Sequence, residues 1–194
     1  GVPLYAQTAY PTSLGSGLLL GMSAGAAIVG AEKYACLPGL IPDAYRYPCQ
    51  MFAYAPLNPA ARSPWEIVVN ARGERFVRED HPSVHQIERG IYRQPGHRHW
   101  AIFDADMLEK SDPIIPDWTR ERIAKEHQSN PMFHSAMSLN ELAFRAGLDP
   151  AGLATTVNDY NHSIAIGGTD AYGRVFRPSP LVKPPFYSIA MQGW

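Results

Sequence analysis

Two histidines four residues apart are the first feature with a chemical consequence. His81 and His85 share one face if residues 81–94 are helical, and Glu79 and Asp80 stand beside them. Imidazole and carboxylate suit zinc or iron, so a metal-dependent hydrolase is one reading. The spacing matches no zinc signature, and histidines flanking a surface helix give the same pattern. No metal ligand is therefore assigned. Gly21-Met22-Ser23-Ala24-Gly25 has the letters of the G-x-S-x-G nucleophile motif. It lies in a helix-like run, not at the strand-to-helix turn that exposes such a serine. Gly15, Gly17 and Gly21 approach a dinucleotide loop, but the third glycine falls one residue late and no strand precedes it. A helix starting at Gly15, Ser16 and Gly17 can still face a phosphate supplied with the rest of a larger protein. Arg75 and Glu79 are placed either to contact a substrate or to form an ion pair, and an exposed pair is worth only ~0–1 kcal/mol.

The elements that must position these residues are short. Thr12 or Ser13 could cap a helix running to about Tyr34, with small residues suited to close backbone approach. Residues 35–64 carry six prolines and read as a long irregular loop. Residues 65–70 and 74–78 form two arms of a β-hairpin, with Ala71-Arg72-Gly73 as the turn. Pro82 sits near the start of a helix of about a dozen residues, with Val84, Ile87 and Ile91 on its apolar face. A strand begins at His99, a helix runs from Asp117 to about His127, and Phe133 to Met137 is a further strand. Ser138 and Glu141 make a capping box for a helix that stops at Gly147. Asp149-Pro150 opens the next helix, which Gly167-Gly168 ends at about Ile166. The expected fold is α+β, a small antiparallel sheet with packed helices.

Composition bounds the function. The chain of 194 residues has 17 basic and 18 acidic residues, a net charge of −1, and no basic tract for phosphate neutralisation, so no nucleic-acid partner is expected. The longest apolar stretch, Leu18 to Gly30, is shorter than the ~20 residues of a membrane span. Two cysteines, Cys36 and Cys49, are too few for a disulfide scaffold. They point to a reducing, cytoplasmic setting, with a single bridge between them still open. Both termini read as cuts inside a longer chain.

Several segments in order resemble the flavoprotein family of fumarate reductases, succinate dehydrogenases and 3-ketosteroid dehydrogenases. The run Gly17 to Ala26 looks like that family's glycine-led helix. Val69-Asn70-Ala71-Arg72-Gly73-Glu74-Arg75-Phe76-Val77-Arg78-Glu79-Asp80 is similar to its hairpin. Leu139 to Leu153, Thr156-Val157-Asn158-Asp159-Tyr160-Asn161, Gly168 to Arg174 and Pro184-Pro185-Phe186-Tyr187 complete the order. The resemblance implies FAD as cofactor, bound mainly by sequence outside this chain, and a capping domain that closes over flavin and substrate. It divides the chain into residues 1–30, a flank of the FAD-binding domain; 31–185, the capping or substrate domain; and 186–194, the return toward the FAD-binding domain. The implied partners are the FAD-binding domain of the same parent protein and a small-molecule substrate.

Departures from the family pattern bear on that substrate. Ser16 and Arg78 stand where the family has Asp and Asn. Ser83 stands near the position of the fumarate reductases' catalytic arginine, and Leu37 at that of their substrate-binding histidine. A dicarboxylate needs cations at both ends. The stretch Met51 to Leu57, with Phe52 and Tyr54, is apolar and aromatic, so an apolar, steroid-like ketone fits better than fumarate or succinate. The expected activity reduces or desaturates a C–C bond next to a carbonyl. Tyr187 of the Pro-Phe-Tyr motif, or His81 after the hairpin, would move the proton. Phe52, Tyr54, Arg75 and Glu79 would meet substrate, and Gly15, Ser16 and Gly17 the cofactor. The chain alone should be inactive. A binding module without chemistry and the metal-dependent hydrolase using His81 and His85 stay open as rivals.

Overall fold

One strand near the C-terminus organises the molecule. The computed structural model describes residues 6–7, 12, 14–30, 37–45 and 49–193. In it, β7 (Phe186–Gln192) pairs antiparallel with β5 (Arg98–Asp104) along its whole length. The other edge of β7 takes β6 (Phe133–Ala136) at its start and β2 (Leu40–Pro42) at its end. Outside β5 lies β4 (Ile67–Val69), outside β2 lies β3 (Cys49–Tyr54), and β1 (Ala6–Gln7) joins β3 in parallel. The fold is α+β, as expected, with an antiparallel sheet apart from that last pair. Ile67, Ile102 and Ile189 from three adjacent strands are fully buried, together with Leu142 and Leu153 from the helices.

The helices are α1 (Ser16–Ser23), α2 (Val84–Tyr92), α3 (Ala105–Lys110), α4 (Arg120–Ser129), α5 (Leu139–Ala146) and α6 (Pro150–Ile166). Local chemistry sets the last two. Ser138 Oγ accepts from the Glu141 N–H, and the Asp149 carboxylate accepts from Ala151 and Gly152 N–H. Each cap satisfies a donor that the first helical turn leaves open, worth ~1 kcal/mol.

Four expectations need correction. The first helix stops at Ser23, because the Ala26 N–H folds back onto Gly21 O at 2.9 Å; Ser13 and Tyr34 lie outside the described residues. The long loop at 35–64 contains β2 and β3, and Pro42, which has no N–H to give, sits where their register shifts. The second arm of the hairpin shrinks to one bridge, Val69–Arg75. Beyond it the Glu79 carboxylate, not a backbone carbonyl, accepts the Val68 N–H at 3.0 Å. The helix expected over 81–94 begins at Val84, so His81 is not on it. No element is assigned from the sequence to the proline-rich tail after Pro178, and it leads into the central strand β7.

Two side chains deliver the tail to that strand. Asn161 of α6 donates to Leu181 O and accepts from Leu181 N–H. The buried Asp104 carboxylate caps α3 through Met107 N–H with one oxygen and takes Val182 and Lys183 N–H with the other. The hairpin turn is pressed onto α6. Gly73 has φ +70°, and a Cβ there would lie 2.3 Å from Leu153 N.

Candidate functional site: an aromatic wall around Tyr187

Sheet register creates a continuous run of rings. Phe103 faces Tyr187 across β5 and β7, and their rings stack at 5.3 Å and 20°. His127, in the last turn of α4, lies 4.7 Å from the Tyr187 ring at a tilt of 56°. It also meets Phe103 and Phe133 edge-on at 5.8 and 5.2 Å. Phe133 stacks on Trp118 at 6.1 Å, and Phe52 meets both edge-on at 6.3 and 5.8 Å. The Arg122 guanidinium covers Trp118 at 3.9 Å. The wall thus joins Phe52 to Tyr187 through residues distant in sequence. Phe52 is the extra residue of a β-bulge: Ile41 faces Ala53 and Pro42 faces Met51, which leaves Phe52 without a partner on β2. Bulges re-aim side chains, and Phe52 remains 38% exposed at the end of the wall.

Tyr187 and His127 carry the wall's polar atoms that are open to chemistry. Burial pushes the half-buried Tyr187 phenol above its ordinary range, so it stays protonated at neutral pH and can only give a proton. Burial also pushes His127 down to about 3, which keeps it neutral. Its Nδ1 lies 3.0 Å from His134 O, and its buried Nε2 has no hydrogen-bond partner among the described residues. Tyr54 sits at the end of β3 opposite Leu40. Its phenol is raised by burial and then by the charge of Glu88. No ring contact among the described residues ties Tyr54 to the wall.

Arg75 and Glu79 come together elsewhere, in a buried ion cluster. Arg75 Nε and Nη2 bind the two Glu79 oxygens at 2.9 and 2.5 Å, and Nη1 binds Asp170 at 2.6 Å. Arg174 Nη1 stands 3.2 Å from Glu79, and its guanidinium donates to Pro64 O, Glu66 O and Phe176 O. Tyr160 lies under both guanidiniums, and the Tyr172 hydroxyl donates to Arg75 O. Burial opposes the charge on Glu79, but Arg174 and Arg75 outweigh it and hold the carboxyl below its usual range. For Arg75, burial is likewise outweighed by Glu79 and Asp170, which hold the guanidinium more firmly charged. A groove of about 680 Å³ along α6 passes Arg75, Asp159 and Asp170. The three carboxylate bonds of Arg75 are made inside the protein.

The histidines do not converge. His81 Nδ1 accepts the Ser83 N–H at 3.0 Å, whereas exposed His85 pairs with Glu88 at 2.8 Å. Among the described residues no three His, Cys, Asp or Glu side chains are grouped to hold a metal ion. Gly15, Ser16 and Gly17 form the N-terminus of α1. Gly15 is left-handed and no side chain caps the end, so the first-turn N–H groups can receive one anionic group such as a phosphate. None of the α1 residues is buried, and Leu14, Leu18, Leu19 and Leu20 are exposed. The described helices include none long and apolar enough to cross a membrane. Cys36 lies outside the described residues, so the question of its bridge to Cys49 falls there too.

Sequence reasoning missed Trp118, Phe133, Phe103 and His127. Their types were visible, but their meeting depends on pairings such as Phe133–Ile189 and Phe103–Tyr187 that no local pattern encodes.

Comparison with known proteins places the chain. It is 25% identical to a probable fumarate reductase, Ifc3, of Shewanella frigidimarina over 178 residues, 92% of this chain and 27% of the relative. It is 29% identical to the 3-oxosteroid 1-dehydrogenase of Mycolicibacterium smegmatis over 86% of this chain and 34% of the relative. The chain therefore spans about a third or less of these curated relatives. Its fold superposes on a flavocytochrome c3 fumarate reductase in an open conformation with a TM-score of 0.67, at 24% identity, covering 92% of this chain and 28% of the other. A 3-ketosteroid Δ1-dehydrogenase from Sterolibacterium denitrificans gives 0.68 at 22% identity, covering 97% and 38%. The family described as FAD binding domain matches residues 4–192, nearly the whole chain, and the chain belongs to that family.

Proposed function

We propose that this chain is the substrate-capping part of a larger FAD-dependent oxidoreductase that adds or removes hydrogen across a C–C bond next to a carbonyl, on an apolar, ring-shaped substrate. The observation that carries the reading is the aromatic wall, which ends in a protonated phenol held against the rings. Phe103, Phe133 and Trp118 are packed in the core, so a flat apolar substrate would meet the wall at its ends, the exposed Phe52 and the half-buried Tyr187, where the phenol supplies the proton. The names of the relatives, a fumarate reductase and a 3-oxosteroid 1-dehydrogenase, support carbonyl-activated hydrogen transfer. The apolar wall favours the second kind of substrate over a dicarboxylate.

When bound, FAD supplies the hydride donor or acceptor. The described residues fit one anionic group of that cofactor, at the uncapped N–H groups of Ser16 and Gly17 after Gly15. The exposed leucines of α1 are apolar surface that a further domain of the same protein would cover, so residues 1–30 are assigned to the FAD-binding side, residues 31–185 to the cap and residues 186–194 to the return toward the FAD-binding domain. Phe52 and Tyr54 form the substrate-facing edge of the cap and exclude water. Tyr187 gives its phenol proton to the substrate carbon, with His81 as the alternative donor. Arg75 and Glu79 hold the hairpin and the 170–174 segment in place behind the substrate face. The protein is assigned to the cytoplasm, in keeping with the reducing setting read from its cysteines.

Flavin bleaching in the full-length flavoprotein tests this. A cyclic 3-ketone with a C=C bond next to the carbonyl should reoxidise the reduced flavin under anaerobic conditions, the phenol giving the proton, while fumarate should not, and succinate should not bleach the oxidised flavin. Turnover of the dicarboxylates with no response to the cyclic ketone would overturn the substrate assignment.

A further inference from the structure

One end of the aromatic wall carries a cation. Arg122 stands in the first turn of α4, where the Thr119 hydroxyl accepts its backbone N–H at 3.2 Å. Its guanidinium lies 3.9 Å from the centre of the Trp118 ring. Arg62, Arg78 and Arg145 meet Glu66, Asp80 and Glu141. Among the described residues, no carboxylate or carbonyl pairs with the Arg122 guanidinium. The acids of its own helix are engaged elsewhere. Glu126, one turn on, accepts from Asn130 Nδ2 at 3.0 Å, and the Glu121 carboxylate is hydrogen-bonded to Thr119.

Stacking on an indole engages the flat face of a guanidinium. Its N–H groups still point outward in the plane, as a fork that fits the two oxygens of a carboxylate. An exposed arginine gives up side-chain freedom to hold a ligand, and one already laid on a ring gives up less. Two contacts place this cation relative to the substrate edge. The exposed Phe52 meets Trp118 edge-on at 5.8 Å, and Trp118 carries Arg122. Laid end to end, these contacts put the guanidinium no more than about 10 Å from the Phe52 ring, within reach of a substrate ring bearing a side chain of a few carbons.

We propose that Arg122 is a specificity-determining residue for an acidic side chain: the substrate is an apolar ring ketone whose ring rests on Phe52 and whose side chain ends in a carboxylate held by the in-plane N–H groups of Arg122. The inference rests on the reading of Phe52 as the substrate-facing edge, and it narrows the substrate class to ring ketones with one negative charge. One cation answers one charge. A dicarboxylate would leave its second carboxylate against the apolar Phe52 without a partner.

Anaerobic equilibrium dialysis with the full-length, oxidised flavoprotein tests this. The two ligands are a cyclic 3-ketone with a carboxyl-ended side chain and the primary amide of the same acid. Wild type should hold the acid at least about tenfold more tightly than the amide, the scale of a hydrogen bond to a charged group. That preference should shrink as salt is added, because the guanidinium is exposed. The salt series needs wild type alone. Arg122→Gln should bring the two affinities to within about threefold of each other, and the ratio cancels whatever both ligands lose when Trp118 is uncovered. Arg122→Lys keeps the charge without the planar fork and should fall between. Failure of the acid to bind, equal binding of the two in wild type, or a preference that survives Arg122→Gln overturns the proposal, and Arg122 then only covers the indole. Reoxidation of the reduced flavin by either ketone, each with a C=C bond next to the carbonyl, reports separately on the reaction. If neither reoxidises it, the proposed reaction fails, while the dialysis ratio still decides the role of Arg122.

Discussion

The ion cluster and the aromatic wall treat their polar atoms in opposite ways. In the cluster, the side chains of Arg75, Glu79, Arg174 and Asp170 are buried and meet one another and backbone groups. In the wall, the Tyr187 phenol sits among rings, and the buried Nε2 of His127 has no hydrogen-bond partner among the described residues. A saturated network fixes backbone, here the hairpin, the 170–174 segment and the loop at Pro64. A half-buried phenol stacked on buried rings, with no charged partner, keeps its capacity for a ligand. The residues that look most reactive by charge are thus assigned to architecture, and the less conspicuous rings to chemistry.

Breaking the cluster should have the largest effect on stability. Arg174→Ala leaves Glu79 short of one cation and three carbonyls without their donor. It should cost about 3–5 kcal/mol in urea unfolding, since removing one partner strands a buried charge. A loss below 1 kcal/mol would show that the cluster does not hold the fold. Acid acts through two buried histidines, His127 in the wall and His99 beside Gly39. Burial holds His99 at about 4 and His127 at about 3, both below an unfolded histidine near 6.5. At pH 7 the folded histidines are without the proton and the unfolded ones mostly so. Below pH 6.5 the unfolded chain takes it up first, so stability should fall by about 1.4 kcal/mol per pH unit for each histidine, until pH 4 for His99 and pH 3 for His127. Unfolding midpoints between pH 7 and 4 check this, and His127→Gln should flatten the slope.

Smaller effects sharpen the contrast. Gly73→Ala must adopt φ +70° against the backbone of α6, and should destabilise by roughly 1–3 kcal/mol with no change in substrate affinity. Asp149→Ala removes the cap of α6 for about 1 kcal/mol. Phe52→Ala, at an exposed bulge, should change stability by less than about 1 kcal/mol, yet raise KM for an apolar ketone at least tenfold. Equal affinity in Phe52→Ala would detach the wall from substrate binding.

Much of this fold is written locally in the sequence. The caps at Ser138 and Asp149, the stops at Gly147 and Gly167, and the apolar face of Ile87 and Ile91 all form as their neighbours dictate. The strand β7 hides because both its faces are covered, so it lacks the alternation that marks a half-buried strand. The strands β2 and β3 hide because their partners are remote and their run is broken by prolines and a bulge. The hairpin is half legible: its turn is local, but Glu79 replaces the expected second arm with a side chain. Within the site, Phe52 and Tyr187 were reachable only through family resemblance. Trp118, Phe133 and His127 were not, because register across the sheet decides which rings meet.

The central claim is that Tyr187 gives the proton at the wall. Its most direct test is the turnover of Tyr187→Phe in the flavin-replete, full-length enzyme, compared with wild type at equal flavin content. The account predicts a fall in kcat of about 100-fold or more, with KM changed little, since general acid catalysis contributes 10²–10⁴. A kcat within threefold of wild type would contradict it.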